Sequence, residues 1–294
     1  MSEHTLYLGY WYQRTSLHLS EIYDFLRDGK SPLPLNKGKL LHLQQALLLK
    51  SVNYKLDALE SIIIETTDGV RIAFYEDGLV VMKQSFTDVS KAKEQLASYY
   101  DERFLPAISY LFSLGAPPPK ELITTQSVYP YFLVTHNAQR ATIDGLLHEL
   151  GEEEYLELKD KAVDIYRGDT HFVLNSQSHF EGTESLIEML IFFSEFKAQL
   201  HRYLNLHRMI WEKIARIKEQ GSISGRNIER QRTELESYKK TIELIEGRME
   251  QMGLYMSTRA NLVKNSGWEA FLTKVLAFRY ENLQHNLDYV KSLW

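Results

Sequence analysis

The segment SIIIETTDGVRIAFYEDGLVVMK, Ser61–Lys83, admits few folds. It alternates apolar and polar residues around two Asp-Gly pairs, Asp68-Gly69 and Asp77-Gly78, and a glycine that accepts positive φ lets a strand reverse within two residues. Three antiparallel strands are expected. A looser version, AVDIYRGDTHFVLN, Ala162–Asn175, returns about ninety residues later. Setting Val70, Ile72 and Phe74 against Val163, Ile165 and Arg167, and Leu79 and Val81 against His171 and Val173, matches the apolar phase in part. Arg167 and His171 interrupt it.

The order of elements repeats as well. TLYLGYWYQ reads as a strand, and SLHLSEIYDFLRDG as a helix through Leu19, Ile22, Tyr23 and Leu26. KLLHLQQALLLKSV reads as a further helix ahead of the three strands, and Asp88 as the N-cap of a helix that Pro106 kinks or divides. Three consecutive prolines in GAPPPK, Gly115–Lys120, favour extended backbone and mark a boundary. Beyond it come a strand (YPYFLVTHN), a helix (ATIDGLLHELG) and three strands. The expected fold is therefore α+β, with two β-α-β-β-β-α units, residues 1–116 and 117–182, in the order a duplication would leave, and a long-helix region over 183–294.

That last region carries the most regular pattern in the chain. Steps of four and three from Met189 give Phe193, Phe196, Leu200, Tyr203, His207, Ile210, Ile214 and Ile217. A second seam runs from Ile228 through Leu235, Tyr238, Ile242, Met249 and Met256 to Arg259 and Val263. Two such helices of about 35 residues, each ~50 Å long, are expected to fold back on one another as a coiled-coil-like hairpin. Trp268–Trp294, apolar on two faces, forms a third helix. His207 and Arg259 stand within the seams, as a paired histidine and a buried polar residue that pins the register.

Chemistry is harder to find. GSISGR, Gly221–Arg226, follows a helix and lacks the Lys-Ser/Thr ending of a phosphate loop, so it reads as an inter-helix turn. The ten histidines never fall at metal-binding helical spacing and there is no cysteine, so no metal or cofactor is expected. The absence of cysteine also fits the cytoplasm. The longest apolar run, MLIFF, is far too short to cross a bilayer. Net charge divides into −7 over residues 1–180 and +2 over 181–294, which argues against a dedicated nucleic-acid binder. No nucleophile, nucleotide or paired-acid motif stands out, so the sequence leans away from catalysis.

YEDGLVV, with Phe74, Tyr75, Gly78, Val80 and Val81, and RANL, Arg259–Leu262, followed by Trp268, resemble the required-for-meiotic-nuclear-division family. The resemblance extends over most of the chain in the order of its elements. Members are regarded as membrane-attached scaffolds, some supporting mitochondrial translation, with no established catalysis. The bulky TESLIEMLIFFSEFKAQL replaces the family's alanine- and serine-rich helix, and its closing transmembrane segment has no counterpart here. The resemblance thus implies a soluble scaffold.

Two functions are expected on these grounds. The first is a non-catalytic scaffold that self-associates or docks a protein partner through the long helices, packed by Phe193, Leu200, Tyr203, His207, Ile210, Ile214 and Arg259. The second is a small-molecule or nucleotide sensor or enzyme with its site between the two α/β units, near His136, Asn137 and Arg140, where THNAQR clusters polar groups after a strand.

Overall fold

The computed structural model describes residues 4–12, 18–57, 59–112, 125–159, 163–168, 171–176 and 183–219, together with single positions between 229 and 262. GAPPPK, GSISGR and Trp268–Trp294 lie outside the described residues. The chain divides into two compact units, residues 1–195 and 196–294.

In the first unit, β1 (His4–Trp11) is followed by α1 (Leu19–Asp28), α2 (Lys37–Ala46) and a four-strand meander: β2 (Leu49–Lys55), β3 (Ser61–Thr66), β4 (Arg71–Tyr75) and β5 (Leu79–Phe86). Next come α3 (Val89–Tyr99), α4 (Leu105–Leu111), β6 (Thr125–His136), α5 (Arg140–Leu150), β7 (Leu156–Lys159), β8 (Val163–Arg167), β9 (His171–Ser176) and the start of α6 (Thr183–Glu219). The nine strands form one sheet in the order β2-β3-β4-β5-β1-β6-β9-β8-β7. The two stretches read as separate units are thus halves of a single sheet, hydrogen-bonded to each other through antiparallel β1 and β6. The compact division falls inside α6, between Glu195 and Phe196, rather than at 116 or 182.

Several local expectations hold. Gly69 and Gly78 take φ of 85° and 89°, and Asp77 accepts a hydrogen bond from the Leu79 amide at 3.1 Å, so both Asp-Gly pairs form tight reversals. The Asp88 carboxylate caps α3 through the Lys91 amide at 3.0 Å. Pro106 sits in the first turn of α4, directly after a π-helical turn over Tyr100–Phe104 that accommodates the missing donor.

Others do not. KLLHLQQALLLKSV is helical only to Ala46, because Leu48 enters the left-handed region at φ 52° and the chain then extends as the edge strand β2. The first meander therefore has four strands and the second three. Strand parity follows: β5 returns antiparallel to β1, whereas β9 returns parallel to β6. The hairpins β4–β5 and β8–β9 consequently stand in opposite senses to the strands that lead their halves. Ile72 and Ile165, matched by apolar phase, stand one residue out of step in the sheet. Ile72 and Phe74 face the same core as Val80 and Met82, but Ile165 pairs with Leu174 on the other face, and Tyr166 and Val173 are the residues that join that core. A slip of one residue exchanges the two faces of a strand.

Both faces are covered. Leu6, Leu8, Ile64, Ile72, Phe74, Met82 and Val173 pack with apolar residues of α1, α3 and α5, including Phe25, Leu96 and Leu147. On the opposite face the alternate residues Val81, Phe132, Val134, Ile165, Phe172 and Leu174 are also buried. The first turns of α6 cover this second face. Leu186, Ile187, Leu190, Ile191, Phe192 and Phe193 are all buried, while Glu184 and Ser185 at the start of the helix are exposed. Gly9, where the β1–β6 register shifts, is the point of closest approach: a Cβ there would overlap the Ile191 side chain.

In the second unit the remainder of α6 continues to Glu219, and every described position from 229 to 262 is helical. Ile210 is buried, Ile214 is half-buried, and Met209 and Trp211 are exposed. Arg259 is 3% exposed. Leu200, Tyr203 and His207 lie on α6, with side chains outside the described residues, as is Ile228. Arg232–Glu236 and Lys239–Glu243 form exposed ion pairs one helical turn apart, which marks a solvated face.

Candidate functional site

The registers of the sheet place Ser51, Glu65, Arg71, Lys83, Tyr7, Phe132, Phe172, Arg167 and Leu156 in one row, one residue from each strand. Partners in such a row share a face and stand about 5 Å apart at Cβ. Across β6 and β9 the row is apolar, with Phe132 and Phe172 stacked at 5.1 Å. Toward β3 it becomes Tyr7, Lys83, Arg71 and Glu65. Two cations thus face each other directly across β4 and β5.

This polar stretch floors a cleft of about 590 Å³. Thr5, Tyr7, Thr66, Val134 and His136 line it with the row residues, Lys50 adds a third cation, and Glu184 from the first turn of α6 forms part of its wall. Glu184 pairs with Lys83, whose side chain is only 20% exposed. Burial first, and then the Arg71 guanidinium, hold the Lys83 ammonium down to about 8, against the opposing pull of Glu188. The Lys83 Nζ lies 5.8 Å from the centre of the Tyr7 ring. Burial, with Glu188, pushes the Tyr7 phenol up to about 12, so it stays protonated at neutral pH.

The structure separates the three residues that sequence reasoning grouped. His136, at the end of β6, does line this cleft. Asn137 turns the chain at φ 48°, its amide donating to the Ser176 carbonyl at 2.9 Å. Arg140 opens α5 and is held by Glu157 at 2.8 Å and Asp144 at 3.0 Å, with the Tyr155 hydroxyl beside it. The cations that do converge, Arg71 and Lys83, had a readable signal: each lies six residues from Asp77, so a tight turn there sets them opposite.

A second polar cluster lies on the other face of the sheet. Glu152 accepts from the His171 Nδ1 at 2.8 Å, Lys93 of α3 reaches the Nε2 at 3.3 Å, and the Tyr131 ring stacks on the imidazole at 5.7 Å. A carboxylate on one nitrogen and an ammonium on the other fix the neutral tautomer that carries its proton on Nδ1. Burial, reinforced by Lys93 and opposed by Glu152, keeps the His171 pKa below its ordinary value. His4, bonded to the Thr135 hydroxyl at 3.0 Å, is lowered too, chiefly by burial and further by His136, against Glu149. Both groups bind protons more readily in the unfolded chain, so stability falls as pH drops below about 6.5 toward their folded values. Melting temperature is expected to decline from pH 7 to pH 5, less steeply in His171→Gln; identical slopes would remove His171 as a cause.

Among the described residues no group of three His, Cys, Asp or Glu side chains could hold a metal ion. No helix there is long and apolar enough to cross a membrane. No family model matches the chain, and no curated protein and no solved structure matches it.

Proposed function

We propose that the protein binds a small anionic molecule, a carboxylate or phosphate ester, in the cleft between the sheet and the first turn of α6. The single observation that carries this reading is the facing pair Arg71 and Lys83. Like charges directly opposite in a ladder destabilise it, and of the charged groups that line the cleft the cations Lys50, Arg71 and Lys83 outnumber the carboxylates Glu65, opposite Arg71, and Glu184, paired with Lys83. An anion between the two would relieve that repulsion. Arginine supplies a planar fork suited to carboxylate or phosphate, and the volume suits a metabolite-sized ligand.

A panel of inorganic phosphate, citrate, pyruvate and glyoxylate in a thermal-shift assay tests the proposal. A ligand at a hundred times its dissociation constant adds about 2.7 kcal/mol, which for a domain of this size raises the melting temperature by roughly 5–11 °C. Arg71→Gln is expected to abolish the rise. A panel without any shift, or a shift that survives Arg71→Gln, overturns the reading.

A second reading, a scaffold acting through its helices, rests on α6, whose 37 residues continue beyond the sheet unit and expose Met209 and Trp211. It is also what the resemblance to the required-for-meiotic-nuclear-division family implies. Light scattering after size exclusion tests it: a strict monomer at micromolar concentration, with no partner recovered from cells, would sink it.

A further inference from the structure

The geometry points to a covalent role within that cleft: we propose that the Lys83 amine condenses with an aldehyde or ketone carbonyl carried by the bound anion, while Arg71 holds the anionic group. The inference rests on the binding reading above and adds a reaction to it.

The two facing cations differ in ways that assign them different tasks. Arg71 presents a fixed planar fork of donors, so it holds an anion without reacting. Lys83 stands between Arg71 and Tyr7 in the same row, with a cation on one side and an aromatic ring on the other. A lysine drawn out of water beside a second cation is the arrangement that yields a nucleophilic amine, and the Lys83 ammonium, held down to about 8, has a substantial neutral fraction near physiological pH. A ligand whose anionic end pairs with Arg71 brings a carbonyl one or two atoms away toward the Lys83 nitrogen. That selects short 2-oxo acids and aldehyde acids over longer molecules. Glu184, paired with Lys83 and itself half exposed, can yield the amine to the ligand and return to water.

The step balances without any oxidant or co-reactant. The neutral amine adds to the carbonyl carbon, forming a C–N bond as the carbonyl π bond opens to a carbinolamine. The nitrogen lone pair then expels the oxygen, which leaves as water. Counted from the ammonium, R–NH3⁺ and O=CR′R″ give R–NH⁺=CR′R″ and H2O, with no net change in protons or oxidation state. Glu184 and Glu188, whose charges act on this amine or pair with it, are placed to accept and return the proton moved during addition.

Glyoxylate with sodium cyanoborohydride tests this on the full chain, because reduction freezes the imine as a carboxymethyl-lysine that peptide mass spectrometry locates. Lys83 is expected to label roughly tenfold or more faster than a surface lysine, at a rate that rises with pH through about 8. Acetaldehyde, which offers a carbonyl without an anion, should lack this preference. Lys83→Arg keeps the charge but has no amine that forms an imine, and should lose the adduct. Labelling spread evenly over the lysines, with the phosphate shift intact, overturns the covalent role and leaves the binding reading standing. Equal preference for acetaldehyde and glyoxylate overturns the role given to Arg71. Absence of any anion-dependent shift overturns the binding reading itself.

Discussion

Phe193→Ala is expected to cost the sheet unit about 3–5 kcal/mol, lowering its melting temperature by roughly 6–20 °C. The residue is 2% exposed and meets Phe192 edge-on, with ring centroids 5.3 Å apart. Its burial lies within residues 1–195, so the loss would appear in the folding of that unit. A seam residue waiting for a partner helix behaves differently, since its truncation alters self-association and barely changes the melt at low concentration. Met209→Ala, on the exposed part of the same helix, provides the contrast and should stay within about 0.5 kcal/mol of the parent. Thermal and urea melts followed by circular dichroism separate the two cases. A loss below 1 kcal/mol for Phe193→Ala would contradict the docking of α6 on the sheet.

The second large effect concerns the same contact from the side of the sheet. Gly9→Ala should destabilise, although a glycine replaced by alanine in open, compatible backbone usually gains about 0.4–1 kcal/mol from the stiffer unfolded chain. The reversed sign comes from Ile191, which a Cβ at position 9 would overlap. Overpacking of this kind costs about 1–3 kcal/mol. Ile191→Ala alone removes buried apolar volume and should cost about 2–5 kcal/mol. Together they relieve each other, because the shortened side chain leaves room for the added methyl. A double-mutant cycle is therefore expected to show the pair losing at least about 1 kcal/mol less than the sum of its parts. Strict additivity would mean that Gly9 and Ile191 do not touch.

Much of the sheet could be read in the sequence because its strands are short, alternating and punctuated. The Asp68-Gly69 and Asp77-Gly78 pairs mark both hairpins, whereas the facing of Arg71 and Lys83 was not drawn from the sequence and is given by the register of the sheet. β2 escaped because Leu40, Leu43 and Leu47 continue a helical period up to Leu48, and nothing local announces a leucine at positive φ. The parity of the meanders depended on that missed strand, and so did any comparison of the two halves. Tyr7 and Glu184, which complete the cleft, come from β1 and α6, 76 and 101 residues from Lys83 in the chain. Such neighbours are set by tertiary packing, which local pattern does not encode. His136, Asn137 and Arg140 looked like a cluster because they are close in sequence, but the chain turns at Asn137, with φ 48°, and the three have different neighbours.

The most direct test of the cleft is a titration of the isotopically labelled chain with inorganic phosphate, followed by amide and side-chain chemical shifts. Saturable shifts are expected at Thr5, Tyr7, Arg71, Lys83 and His136, with the Lys83 side-chain signal moving most and the Lys93–His171–Glu152 cluster on the other face unchanged. Shifts confined to that other cluster, or a spectrum that phosphate leaves unaltered, would contradict the account.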